Sequence, residues 1–202
     1  MIITGIETVT KTKYKVYIDE QFAFVLYKGE LSRFQIRETE EISEETVRRI
    51  KEEVLLKRAK LRAMHLLEEM ARTEAQLIQK LNQNGYPPDV IERAVDYVKS
   101  FGYINDEAYI RSFAESRRDR KSRREIAALL GQKGVDKELL NRVLAEVYEE
   151  HSEQEAIRDI LRKKRWNPQE GDRKEQQKIY ACLARKGFRY EDIRQAMECP
   201  VE

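Results

Sequence analysis

The chain has two cysteines and two histidines among 202 residues, and that scarcity removes several chemistries at once. Cys182 and Cys199 lie apart and neither belongs to a C-x-x-C pair, so no metal or redox role is expected of them. His65 and His151 lie in charged amphipathic segments with no ligand pattern nearby, the setting of surface or half-buried structural histidines. No apolar run approaches the roughly 20 residues that span a bilayer, and the amino terminus has no basic segment followed by an apolar one. The expected compartment is therefore the cytoplasm. There is no G-x-S-x-G, no H-E-x-x-H and no cysteine with a histidine partner, and the many carboxylates fall on charge-dense helical segments where solvation accounts for them. Neither an enzyme nor a cofactor is expected.

What is present is charge in helical order. Charged residues make up 38% and hydrophobic ones 41% of the chain, against roughly 25% charged in ordinary domains. Glu, Lys and Arg alternate with Leu, Ile and Ala at helical spacing, the mark of solvated helices. Residues 1–27 differ. Tyr14, Val16 and Ile18 alternate with Lys13, Lys15, Tyr17 and Asp19, and Phe22, Phe24 and Leu26 continue the period of two beyond a turn at Asp19–Gln21. With Ile2–Val9 as a first strand, this predicts a three-stranded antiparallel meander that needs a helix to pack on. A helix pattern begins near Gly29–Phe34, pauses around Arg37–Glu41 and restarts with Ser43 as N-cap. Apolar spacing then runs from Val47 to Met70, with a break expected near Leu56–Ala59.

The remainder repeats itself. The segments LNQNGYPPDVIERAV, LGQKGVDKELLNRVL and LARKGFRYEDIRQAM start at Leu81, Leu130 and Leu183. Each has Leu four residues before a glycine (Gly85, Gly134, Gly187), an apolar residue directly after it, an acid at the fourth position beyond and Ile or Leu at the sixth. Units about fifty residues apart are the signature of a helical repeat array. Such an array offers an extended surface to a partner rather than a catalytic pocket. Thr73 and Ser122 each stand twelve residues before their glycine and open a capping box, Thr-Glu-Ala-Gln and Ser-Arg-Arg-Glu. The third repeat departs from this pattern: its corresponding helix starts at Gly171–Asp172, about one turn further from Gly187. Single glycines after helices, in place of a G-x-G-x-x-G after a strand, are left-handed C-caps. The fold class that follows is mainly α: an elongated tandem array of three three-helix repeats, preceded by a small N-terminal antiparallel β meander with a linking helix. The expected boundaries are 1–56 for the extension and 57–105, 106–150 and 151–202 for the repeats.

A formal net charge of +2 conceals a run, RRDRKSRR, with six cations and one anion in eight residues: Arg117, Arg118, Arg120, Lys121, Arg123 and Arg124. A second run, Arg162, Lys163, Lys164 and Arg165, stands beside Trp166. On one reading these are exposed cations paired with acids on neighbouring turns. On the other they form a basic ridge at the joint of two helices, suited to phosphates or an acidic protein surface. Trp166 would then stack on a base, or simply plug the core. Without interleaved aromatics or a recognition-helix pattern, base-specific readout is not indicated.

The junction of the first two repeats is more specific. Tyr97–Arg117, YVKSFGYINDEAYIRSFAESR, resembles the signature of the RecX family of bacterial regulatory proteins at Gly102, Tyr103, Ile104, Asn105, Asp106, Glu107 and Tyr109. Ala63, Leu66, Leu67, Arg72, Glu74 and Leu77 fit that family's first-repeat pattern, and the β extension is similar to that of its longer members. Local physics accounts for the motif: Gly102 ends a helix, Tyr103 and Ile104 tuck back onto the core, Asn105 or Asp106 caps the next helix, and Tyr109 with Phe113 forms its apolar stripe. These residues, with Gly85, Gly134 and Gly187, are architectural.

The resemblance implies a modulator of the RecA recombinase, mostly an inhibitor, acting in recombination, DNA repair and the SOS response. It implies a curved array lying in the groove of the RecA filament on single-stranded DNA, hindering ATP hydrolysis, strand exchange and the coprotease role. The two cationic runs are the candidates for contact with RecA or directly with DNA. A monomer is expected, because no long uninterrupted heptad is present. The alternative, from another class, is a DNA-binding helical repeat protein acting as a transcriptional regulator.

Overall fold

In the computed structural model the period of two is realised as β1 (Ile3–Thr10), β2 (Lys13–Ile18) and β3 (Gln21–Tyr27), an antiparallel sheet in that order. Residues 1–149, 153–169 and 172–198 are described. Asp19 and Glu20 link β2 to β3 with φ of 48° and 65°, the paired positive values of a hairpin turn whose twist matches its strands. Alternation along the strands puts Ile3, Val16, Ile18, Phe24 and Leu26 in the core. Phe22, expected on the same face as Phe24 and Leu26, is exposed instead, because a register shift at Val16–Tyr17 pairs it with Tyr17. Lys13, Lys15, Tyr17 and Val25 fall on the opposite face.

The helices begin with α1 (Lys28–Arg33) and α2 (Glu44–Ile50). Ser43 Oγ accepts from the Thr46 N–H at 3.1 Å, as its N-cap position requires. The break expected near Leu56–Ala59 is absent. Instead α2 runs through a π turn, Lys51–Leu55, directly into α3 (Leu56–Glu69). The cause is a phase shift: Val54, Leu55 and Leu56 are consecutive and all buried. One wide turn re-aligns the apolar stripe without interrupting the backbone ladder. With α4 (Glu74–Gln83) and α5 (Pro88–Ser100), these helices and the sheet share one core extending to Val98 and Ile104. They make up the first of two compact units, Met1–Ile104.

The second unit begins at Asn105. Its α6 (Asp106–Glu115), α7 (Arg123–Gly131) and α8 (Lys137–Glu149) enclose Ile110, Ala114, Ile126, Leu130 and Leu144. Its α9 (Glu153–Lys163), α10 (Arg173–Arg185) and α11 (Tyr190–Glu198) enclose Ile157, Leu161, Trp166, Leu183 and Ile193.

The capping box at Thr73 is complete: Thr73 Oγ1 and Gln76 Oε1 each accept from the other residue's N–H at 3.2 Å. The one expected at Ser122 is half formed. Its hydroxyl accepts from the Glu125 N–H at 3.1 Å, but the Ser122 N–H donates to the Lys186 carbonyl at 3.0 Å and the Glu125 carboxylate pairs with Lys121. Contact with the third repeat has replaced the reciprocal bond. Asn105, rather than Asp106, caps α6, accepting from the Ala108 N–H at 2.9 Å.

Gly85, Gly102, Gly134 and Gly187 have φ of 78°, 71°, 75° and 83°. Two of them also permit close approach. A Cβ on Gly85 would lie 2.6 Å from Val25 Cγ2, and one on Gly187 would lie 2.4 Å from Ser122 Oγ. Arg165, at φ 55°, closes α9 the same way without glycine: its N–H reaches the Arg162 carbonyl at 3.0 Å and that of Trp166 the Leu161 carbonyl at 3.1 Å. The residue after each turn is buried at Tyr86, Val135, Trp166 and Phe188. Tyr103 departs from this and from expectation, being 56% exposed. Ile104 takes the core position, and the Tyr103 ring stacks on Phe101 at 5.8 Å on the surface. In α6, Ile110 and Ala114 carry the buried stripe, with Tyr109 and Phe113 half-buried beside them, their rings 6.2 Å apart.

Candidate functional site

The first cationic run occupies the turn from α6 to α7 and the start of α7, and its six cations divide in two. Arg117 lies 3.9 Å over the Phe113 ring and donates to Ser116 Oγ at 2.7 Å. Arg118 reaches the Val147 carbonyl at 3.4 Å, and Lys121 pairs with Glu125. These three are half-buried and hold the turn against α6, α7 and α8. Burial pushes the neighbouring Tyr148 hydroxyl well above its ordinary range, so it stays neutral and donates to the Lys121 carbonyl. Arg120, Arg123 and Arg124 are exposed. The ridge expected from six cations is therefore a patch of three.

The third repeat adds to that patch. Lys186 Nζ donates to the Arg120 carbonyl at 3.2 Å, and the Glu153 carboxylate accepts from the Arg123 N–H at 2.6 Å. Gly187 seats this turn against Ser122, with Arg185 and Arg189 flanking it in sequence. Cations on both sides of Gly187 were the available signal. Read alone they look like ordinary helix-end charges, and nothing local says that the turn meets Ser122.

The helix dipole separates the two runs. Arg162 and Lys163 end α9, and Lys164 and Arg165 follow it, where positive charge complements the exposed carbonyls. Arg162 also pairs with Asp159 at 2.9 Å. Trp166 is a core plug: it is buried, and its Nε1–H donates to the Met197 carbonyl at 3.2 Å. The second run thus has a sufficient structural cause. Arg123 and Arg124 are the first two residues of α7, where cations oppose the dipole. Local stability does not account for them, which marks them as the stronger contact candidates.

Other candidates resolve simply. His65 is exposed between Glu68 and Glu69, Cys182 is a half-buried free thiol, and His151 and Cys199 lie outside the described residues. Among the described residues, no three His, Cys, Asp or Glu side chains form a group that could hold a metal, and no helix is long and apolar enough to cross a membrane.

Family models for the first, second and third three-helix domains of RecX match residues 59–97, 105–144 and 152–197 in order. The chain belongs to the RecX family. Regulatory protein RecX of Caldanaerobacter subterraneus subsp. tengcongensis is 35% identical over 199 residues, 98% of each chain. That of Clostridium perfringens strain SM101 is 30% identical over 200 residues, 94% of this chain and 91% of its own. A crystal structure of regulatory protein RecX, 23% identical, superposes with a TM-score of 0.62 over 98% of this chain and 99% of its own. RecX from Lactobacillus salivarius, also 23% identical, gives 0.61 over 71% of this chain and 95% of its own. These two likenesses establish the RecX fold. The exposed patch at the seam of the second and third repeats is thus a feature of a RecX regulatory protein.

Proposed function

We propose that this RecX protein binds the RecA filament on single-stranded DNA and modulates it, mostly as an inhibitor of ATP hydrolysis, strand exchange and coprotease activity. It acts by binding, as a cytoplasmic monomer, and catalyses nothing itself. Residues 57–105, 106–150 and 151–202 are its repeat units and 1–56 its extension. The observation that carries this reading is the succession of three RecX domains along one chain, with exposed cations held at the first turn of α7 against the helix dipole. Such a patch suits an acidic protein surface or a phosphate backbone.

Titrating the protein into RecA on single-stranded DNA should depress RecA's DNA-dependent ATPase at substoichiometric ratios; an unchanged rate over a wide concentration range refutes the reading. Arg123→Glu with Arg124→Glu should weaken the depression while the helical circular-dichroism signal persists. Undiminished activity of that variant removes this patch from the interface.

A further inference from the structure

One face of the N-terminal sheet lies in the core; the other is a wall of an open cleft of about 900 Å³ within the first unit. Leu61 and Arg62 of α3 stand on a second side, and the turn at Asn82–Tyr86 closes a third. Gly85 lets that turn sit directly on Val25 of β3. The described residues lining the cleft include four cations and no Asp or Glu, in a chain with 37 acidic residues.

Arg58, one of the four, is structural. It bonds Glu30 at 2.9 Å and the Val25 carbonyl at 2.6 Å and lies 4.8 Å over the Tyr27 ring. The other three reach the open space. Lys13 Nζ lies 5.5 Å over the Tyr27 ring, Lys15 forms a loose, exposed ion pair with Glu7 at 3.9 Å, and Arg62 donates to Asn84 Oδ1 at 3.0 Å. Between them lie exposed rings. Phe22 is 44% exposed and meets Tyr17 edge to face at 6.1 Å, and Tyr27 is 36% exposed.

The Phe22 ring, open on a strand face with cations near it, matches a ligand that offers both π faces and phosphates. A duplex presents phosphates but keeps its bases stacked inside, and an acidic polypeptide would engage the cations but leave the rings uncovered. We propose that this cleft binds a single-stranded polynucleotide, with a base stacked on Phe22 and phosphates held by Lys13, Lys15 and Arg62. The assignment does not depend on the RecA reading, because the site and its test involve no recombinase.

The test is fluorescence anisotropy of labelled oligothymidylate and oligouridylate with the full chain, without RecA, over a salt series. Saturable binding to either polymer is expected, and a difference between them identifies the preferred sugar. Phe22→Ala should weaken binding about 5- to 100-fold with unchanged circular dichroism, as loss of one stacked base requires. Lys13→Ala with Lys15→Ala should reduce the slope of log affinity against log salt by about 0.7 per cation. No binding to either polymer overturns the proposal, as does a Phe22→Ala variant that binds like the wild type. Equal competition by a duplex of the same length, or by polyglutamate, also overturns it, the last identifying an acidic polypeptide as the occupant.

Discussion

Gly187 carries two constraints at once, and they separate experimentally. Its φ of 83° disfavours any side chain, and a Cβ would lie 2.4 Å from Ser122 Oγ and 3.1 Å from Glu125 Cβ. Gly102 carries the first constraint alone, with φ 71° and nothing within 4 Å of the Cβ position. Gly102→Ala should therefore cost about 1 kcal/mol, the left-handed penalty. Gly187→Ala should cost distinctly more by urea denaturation, and equal losses would contradict the packed seam. Arg165 presents the converse case, a non-glycine at φ 55° closing a helix. Arg165→Gly should raise stability by up to about 1 kcal/mol by removing that strain, and a lower urea midpoint would contradict the strained-cap account.

At the scale of elements, the local rules decided most of the outcome. Ser43, Thr73, Ser122 and Asp172 each cap a helix through a side-chain oxygen, and each repeat glycine closes one, because both signals act within four or five residues. What the sequence did not disclose depends on distant partners. Ser122 gives its N–H to Lys186, 64 positions away, so the reciprocal box with Glu125 never forms. The shift at Val54–Leu56 resembles a helix end until the π turn shows that the backbone can absorb it. Tyr103 follows a glycine like Tyr86 and Phe188 but stacks on Phe101 outside, because Ile104 already fills the core position. Of the two cationic runs, spacing alone could not tell that half of the first is internally engaged. The dipole argument adds a prediction here. Arg124→Glu should stabilise the second unit by about 0.3–1 kcal/mol, replacing an unfavourable charge in the first turn of α7 with a favourable one. The same change should weaken the RecA effect. A loss of stability, read from the thermal midpoint, would show that Arg124 is held by an interaction within the fold.

At the scale of the whole molecule, the two units carry different surfaces: a ring-lined cationic cleft on the sheet of the first, and a cationic patch at the seam of the two repeats in the second. The proposed division assigns unpaired nucleic acid to the cleft and the recombinase filament to the seam. The three-repeat plan was legible because every unit restates one local pattern, and the family because the junction Tyr97–Arg117 carries a specific motif. The cleft was not, because its walls come from β2, β3, α3 and the α4–α5 turn, which only the tertiary fold assembles. The central claim is contact with the filament. Its most direct test is equilibrium binding of the labelled full chain to RecA filaments assembled on single-stranded DNA, with RecA in excess and a slowly hydrolysed ATP analogue. Saturable binding that weakens for Arg123→Glu with Arg124→Glu is the predicted result; no binding above that seen with neither RecA nor DNA would contradict it.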